Sequence, residues 1–319
     1  MSALATVAAL YGCGAARAGR PLAVPAPAQL PASRSSHVAV IVMENAEYGE
    51  VVGNRAAPYV NRLAREYGLA TASYAIAHPS LPNYLALTSG STHGIESDCT
   101  LCTVGSGADL VDQLEASGVS WRAYLEDVPR ACFTGGSSGG YAKKHNPFAY
   151  YADVIDNPAR CRKLVGFGAL AADLRGGALP TFAWITPNLC DDGHDCSLRT
   201  ADRFLARTVP AVLRELGPRG FLVLTWDEGS SDAGRCGAAH GGGRIATILA
   251  GPGVRRGSRS AKPLDDYGVL ATIEDALGLP RLGGAADPRA GTLDRLLRSP
   301  RPLPARANQA GQGGTAVAP

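Results

Sequence analysis

The 319-residue sequence predicts an α/β fold, a three-layer sandwich around a mostly parallel central sheet. Short, nearly continuous apolar runs alternate with stretches whose apolar residues recur at helical spacing. No internal repeat interrupts that alternation. With 45% hydrophobic and 18% charged residues and no block of charge, the composition is that of an ordinary globular chain, which excludes general disorder, coiled coil and collagen.

Residues 37–43 (HVAVIVM), 181–186 (TFAWIT), 221–226 (FLVLTW) and 245–250 (IATILA) have the continuity that a strand buried on both faces requires. Residues 57–67, 109–117, 201–216 and 267–277 carry the helix-period pattern. Residues 21–35 are Pro/Ala-rich and read as a spacer, and residues 299–319 are rich in Pro, Gly, Ala and Gln and read as disordered. The catalytic unit is therefore expected over residues 36–298, near the upper size of one hydrophobic core, with a signal- or lipoprotein-like segment and linker over 1–35.

The cysteines bear on compartment. Cys99/Cys102, Cys132/Cys161 and Cys190/Cys196 lie near enough in sequence to form three local disulfides in an oxidising space, leaving Cys13 and Cys236, although sequence does not settle the pairing. A zinc ribbon needs two Cys-x-x-Cys pairs, and Cys99-x-x-Cys102 alone has that spacing. The first residues carry an apolar run without a basic n-region. Leu10-Tyr11-Gly12-Cys13 resembles a bacterial lipobox, whose Cys would be lipidated; a signal cleaved near Ala18 or Ala32 is the alternative. No run approaches the ~18 apolar residues of a spanning helix. The expected location is extracytoplasmic, secreted or lipid-anchored at a bacterial cell surface, with Cys13 as the sole membrane contact. Lys+Arg 31 against Asp+Glu 28 leaves a net charge of +3, too small and too evenly spread for nucleic acid to be a dedicated partner.

Ligands of open α/β sheets bind beyond the carboxyl ends of the strands. Glu44-Asn45 follow the first run, Asn188 and then Asp191-Asp192-Gly193-His194-Asp195 follow the second, Asp227-Glu228 follow the third, and His240 with three glycines precedes the fourth. An acidic residue at any single strand end is ordinarily a cap or turn former. Carboxylates, an amide and imidazoles at several together describe a divalent-metal site. Ser80, within His78-Pro79-Ser80-Leu81-Pro82-Asn83-Tyr84-Leu85, precedes a helix-like run whose free N–H groups favour an anion. Local sequence alone favours a helix cap there; the position also suits attack on phosphorus.

Together these segments resemble the bacterial and fungal phosphoesterase family of acid phosphatases and phospholipases C, a branch of the alkaline-phosphatase superfamily. The likeness rests on MEN (43–45), HPSLPNYLALTSG (78–90), KHNP (144–147), TPN…DDGHD (186–195), TWDEG (225–229), HGG (240–242), AGPGV (250–254) and DYGVLATIEDALGL (266–279), in that order. HPSLPNY followed by SGSTHGI also resembles the nucleophile segment of nucleotide pyrophosphatase/phosphodiesterases, with Ser80 where that branch has Thr.

The resemblance implies an alkaline-phosphatase-like fold, a divalent metal ion (Ca, Mg, Mn or Zn) bound by Glu44, Asn45, Asp227 and Glu228, with Asp192 joining them, and Ser80 as nucleophile. It further implies that Asn83, Lys144 and His145 bind the substrate phosphate. His194 and His240 would serve a second metal or the leaving group. Related two-zinc enzymes have Asp-His where this chain has Asp227-Glu228, a departure from the family pattern at the second metal site. The chemistry implied is metal-assisted hydrolysis of phosphate esters through phosphoserine, with a His as general acid and hence an acid optimum. The first expectation is an acid phosphatase acting on small phosphomonoesters. The alternatives are a phospholipase C or other phosphodiesterase and, in a different class, a non-catalytic metal- or phosphate-binding surface protein.

Overall fold

A computed structural model describes residues 37–105 and 109–298. The leader, Cys13, the Pro/Ala-rich stretch and the tail after residue 298 lie outside the described residues. The chain runs β1 (Val38–Met43), α1 (Tyr48–Val51), α2 (Pro58–Glu66), β2 (Gly68–Tyr74), α3 (Ser80–Ser89), α4 (Leu110–Ala116), β3 (Trp121–Leu125), α5 (Ala152–Ile155), α6 (Pro158–Cys161), β4 (Leu164–Gly166), α7 (Phe167–Gly176), β5 (Phe182–Thr186), α8 (Leu198–Glu215), β6 (Phe221–Trp226), β7 (Arg244–Ala250), β8 (Arg259–Ser260), β9 (Leu264–Asp265) and α9 (Asp266–Leu277).

Every residue of β1 is buried, and strand alternation divides them between two cores. Val38, Val40 and Val42 face the core that contains Leu81 and Leu85 of α3, Leu110 and Leu114 of α4, and Leu270 and Ile273 of α9. Ala39, Ile41 and Met43 face the other core, with Val60 and Leu63 of α2, Leu170 of α7, and Leu205 and Val209 of α8. A sheet covered on both faces by helices is the expected three-layer sandwich. Burying each Val or Ile of β1 contributes about 2 kcal/mol, so this strand anchors both layers.

The sheet has the order β4-β3-β5-β1-β6-β7-β2-β8, with β9 beside β2. β1 is parallel to β5 and β6, whereas β7 runs antiparallel to β6 and β2. The reversal has a consequence for the site: the start of β7 lies beside the carboxyl end of β6, so a strand start shares one edge with three strand ends. Cys99–Cys102, Cys132–Cys161 and Cys190–Cys196 are bonded. No helix among the described residues is long and apolar enough to cross a membrane.

Candidate active site

The edge formed by the ends of β1 and β6 carries the site. Glu44 leaves β1 with its backbone N–H bonded to Asp192 O (3.1 Å), and Asp227 leaves β6 bonded to Met43 O (2.9 Å). Asn45 donates its backbone N–H to Asp227 Oδ1 (3.0 Å), and the Asn45 side chain reaches Glu44 Oε2 (3.5 Å). The carboxylates of Glu44 and Asp227 are thereby set side by side, both buried.

Ser80 faces them from the first residue of α3. The cap position is Pro79, and Ser80 does not cap the helix; its hydroxyl donates to Glu44 Oε2 (3.3 Å). Tyr84, one turn further along and therefore on the same helix face, donates its hydroxyl to Glu44 Oε1. His145 completes the floor, Nε2 lying 3.2 Å from Glu44 Oε2 and Nδ1 3.2 Å from Asp192 Oδ2. These are ion-pair separations without hydrogen-bond alignment at Nε2. The Tyr84 ring stacks on the imidazole, 5.4 Å between centroids with 13° between planes.

Electrostatics follow from burial. For His145, desolvation works against the charged form, but the Glu44 and Asp192 carboxylates overcome it and raise the pKa to about 9. Burial would likewise raise Glu44, yet the His145 charge and the bonds from His145 and Tyr84 hold it below its ordinary value. Asp227 has no cationic partner, and the bonds from Asn45 N–H and Ser80 do not offset its burial. Burial, then the charges of Glu44 and Glu228, push it well above the carboxylate range.

At the mouth, Lys144 Nζ bridges Asp98 Oδ2 (2.9 Å) and His194 Nε2 (3.2 Å), while His194 Nδ1 meets Asp195 Oδ1 (2.7 Å). An ammonium has no lone pair and must donate, so Nε2 accepts and the imidazole carries its proton on Nδ1, toward Asp195. Burial works against the Lys144 charge, and Asp98, Glu44 and Asp227 together raise its pKa.

Several expected ligands have other partners. Asn83 is fully buried: its Oδ1 accepts from Ile76 N (3.1 Å) and Ala77 N (3.0 Å), and Nδ2 donates to Ala77 O (2.8 Å) and Pro79 O (3.5 Å). With both ends of its amide engaged, Asn83 shapes the approach to Ser80 and has no free donor for phosphate. Asp192 stands across His145 from Glu44, its Oδ1 accepting from His194 N (2.7 Å). Glu228 Oε2 turns to His78 Nδ1 (2.6 Å). His240 is exposed in a left-handed backbone conformation (φ 61°) and makes no side-chain hydrogen bond or ion pair among the described residues. His145, expected as a substrate ligand in a Gly/Ser-rich loop, lies instead between two carboxylates at 1% exposure.

Sequence reasoning missed Tyr84, Asp98 and His78 as parts of this assembly. Tyr84 could have been found from its four-residue spacing after Ser80; Asp98 carries no local signal beyond its place beside Cys99.

The residues present fit a hard divalent cation. Asp227 Oδ2 is buried with no hydrogen-bond partner, directly beside an ionised Glu44; burial favours a proton on Asp227, and an oxygen-preferring divalent ion is the kind of cation that takes such a proton's place. Ligand atoms of Glu44, His145 and His194 also lie within 4.8 Å of one another. On that side, however, the charged His145 and the Lys144 ammonium at His194 Nε2 repel a cation. A second acidic group, Asp109, Asp112 and Asp153, is tied differently: Arg160 pairs with Asp112 and Asp153, and Asp109 caps α4.

The sequence pattern of the Phosphoesterase family matches residues 53–280, which includes Ser80, Asp227 and Glu228 and begins just after Glu44-Asn45. The chain is 32% identical over 255 residues to a phosphatidylinositol-3-phosphatase of Mycobacterium tuberculosis, covering 79% of this chain and 80% of that one. It is 33% identical over 237 residues to a phosphate-repressible acid phosphatase of Penicillium chrysogenum, covering 70% of this chain and 55% of the fungal protein, so it spans about half of that relative. A protein in the alkaline phosphatase superfamily from Vibrio parahaemolyticus shares the fold, with a TM-score of 0.52 at 11% identity over 84% of this chain and 71% of that one. The chain belongs to the phosphoesterase family of phosphoric ester hydrolases.

Proposed function

We propose that the chain hydrolyses small phosphate monoesters through a phosphoseryl intermediate at Ser80, with a divalent cation held by Glu44, Asn45 and Asp227 and by Glu228 through the oxygen that His78 does not take. The observation that carries this reading is the buried Ser80 hydroxyl directed at Glu44, beside an Asp227 oxygen that has no partner. When bound, the cation supplies charge against the phosphoryl oxygens and lowers the pKa of the Ser80 hydroxyl. Ser80 Oγ forms the bond to phosphorus as the bond to the ester oxygen breaks, and its proton passes to the carboxylate it already faces. The leaving oxygen takes a proton at the mouth from the Lys144 ammonium, which His194 Nε2 orients by accepting one of its hydrogens. Water then cleaves phosphoserine and restores the hydroxyl. Relatives named as phosphatases support monoesters over diesters. The three disulfides Cys99–Cys102, Cys132–Cys161 and Cys190–Cys196 among the described residues support an oxidising, extracytoplasmic location.

The test compares p-nitrophenyl phosphate, bis-p-nitrophenyl phosphate and p-nitrophenyl phosphorylcholine, each with and without EDTA. The monoester should turn over fastest, and the chelator should abolish the rate until a divalent metal is restored. A faster diester, or a rate indifferent to EDTA, would overturn the reading.

A further inference from the structure

Asp98 lies outside the chemistry just described, yet its carboxylate reaches into the site from above. Its Oδ1 accepts the backbone N–H of Leu81, the residue after Ser80 (3.0 Å), and its Oδ2 accepts from Lys144 Nζ (2.9 Å). The side chains of Asp98 and Lys144 are 27% and 21% exposed, which puts the pair at the mouth above a fully buried floor. The loop that carries Asp98 is held firmly: Cys99 is bonded to Cys102, and Lys143 Nζ donates to Thr100 O (2.8 Å). Asp98 is therefore a fixed anion.

Those two donors are of the kind a phosphoryl group needs. A helix-terminal N–H beside the nucleophile and an ammonium at the mouth are where equatorial phosphoryl oxygens gain stabilisation. A carboxylate spanning both makes the same contacts as two oxygens of a phosphate. We propose that Asp98 is a specificity-determining residue, an internal competitor whose carboxylate holds Leu81 N–H and Lys144 and so weakens binding of phosphate dianions, substrate and product alike. This rests on the phosphatase reading above. Weaker product binding favours release, so Asp98 sets turnover against affinity.

Asp98→Asn is close in shape, keeps an acceptor for Leu81 N–H and removes the charge that holds Lys144. Calorimetric titration of the metal-loaded protein with inorganic phosphate should show roughly tenfold tighter binding in Asp98→Asn, the order expected for removing one charge a few ångströms from the ligand at a partly wet site. KM for p-nitrophenyl phosphate should fall in parallel. Asp98→Asn/Lys144→Met should lose that gain, because the donor released in the single variant is then absent. Phosphate binding that is unchanged or weaker in Asp98→Asn overturns the proposal, and a lowered melting temperature with weaker binding would make Asp98 a scaffold residue instead. A wild-type protein that neither binds phosphate nor turns over the ester condemns the phosphatase reading itself. An active wild type with no tightening in Asp98→Asn condemns the role of Asp98 alone.

Discussion

At the floor of the site, Glu44, Asp192 and Asp227 are fully buried, and His145 balances the first two while Asp227 keeps a bare oxygen. At the mouth, Asp98, Lys144 and His194 are each between a fifth and a third exposed, and each already has a partner. The difference shows what burial does to charge. A carboxylate out of water must find a counter-ion or a proton, and at the floor Asp227 has no cationic side chain to serve. The mouth, wetted and screened, satisfies itself, and its groups tune which ligand enters.

Breaking the floor should have the largest effect. Asp227→Asn should lower divalent-metal affinity by on the order of a hundredfold or more and kcat by about a thousandfold, read by calorimetry and by turnover of p-nitrophenyl phosphate. Loss of the same size in a mouth variant would erase the distinction between the two regions.

His145 tests the floor through stability. Removing one member of a buried ion pair costs about 3 kcal/mol, so His145→Gln should unfold at lower urea in the metal-free protein. The His145 pKa is raised from 6.5 to about 9 on folding, so its contribution is complete below about pH 6.5 and lost as the pH climbs through about 9. The gap between wild type and His145→Gln should therefore be wide near pH 6 and narrow near pH 10. A gap that widens with pH contradicts a charged His145.

The mouth should respond more mildly. Lys144→Met should raise KM for p-nitrophenyl phosphate by roughly tenfold, with a weaker salt dependence than wild type, and leave kcat within a few-fold because p-nitrophenolate departs without a proton, whereas kcat for an alkyl phosphate should fall further. His240→Ala, at an exposed side chain with no partner in the site, should stay within about twofold of wild type in kcat/KM. A large loss there would mean that the loop before β7 closes over bound substrate.

The central strands were legible because β1 and β6 are apolar on both faces and continuous to the residue before their acidic ends. β2, with the sequence GLATASY, was not: small and polar residues give no strand signal, and pairing with β7, β8 and β9 makes it a strand. Ser197, which caps α8 and sets its start three residues before the expected one, was likewise hidden in the polar run around Cys196. In the site, residue types at strand ends were readable, but partnership was not. Asn83 looks free in sequence because nothing there shows that the 76–79 segment folds back over its amide. His145 sits in a hydrophilic stretch, and its burial follows from Tyr84 beneath it and carboxylates on either side.

Covalent chemistry at Ser80 is the centre of this account, and acid-quenched enzyme taken during turnover of p-nitrophenyl phosphate tests it most directly. Mass spectrometry of the digest should find a phosphate adduct on Ser80 that forms within the first turnover and is absent from Ser80→Ala, whose rate should be lower by at least about a thousandfold. Full activity in Ser80→Ala, or a phosphate adduct on another residue during turnover, would contradict it.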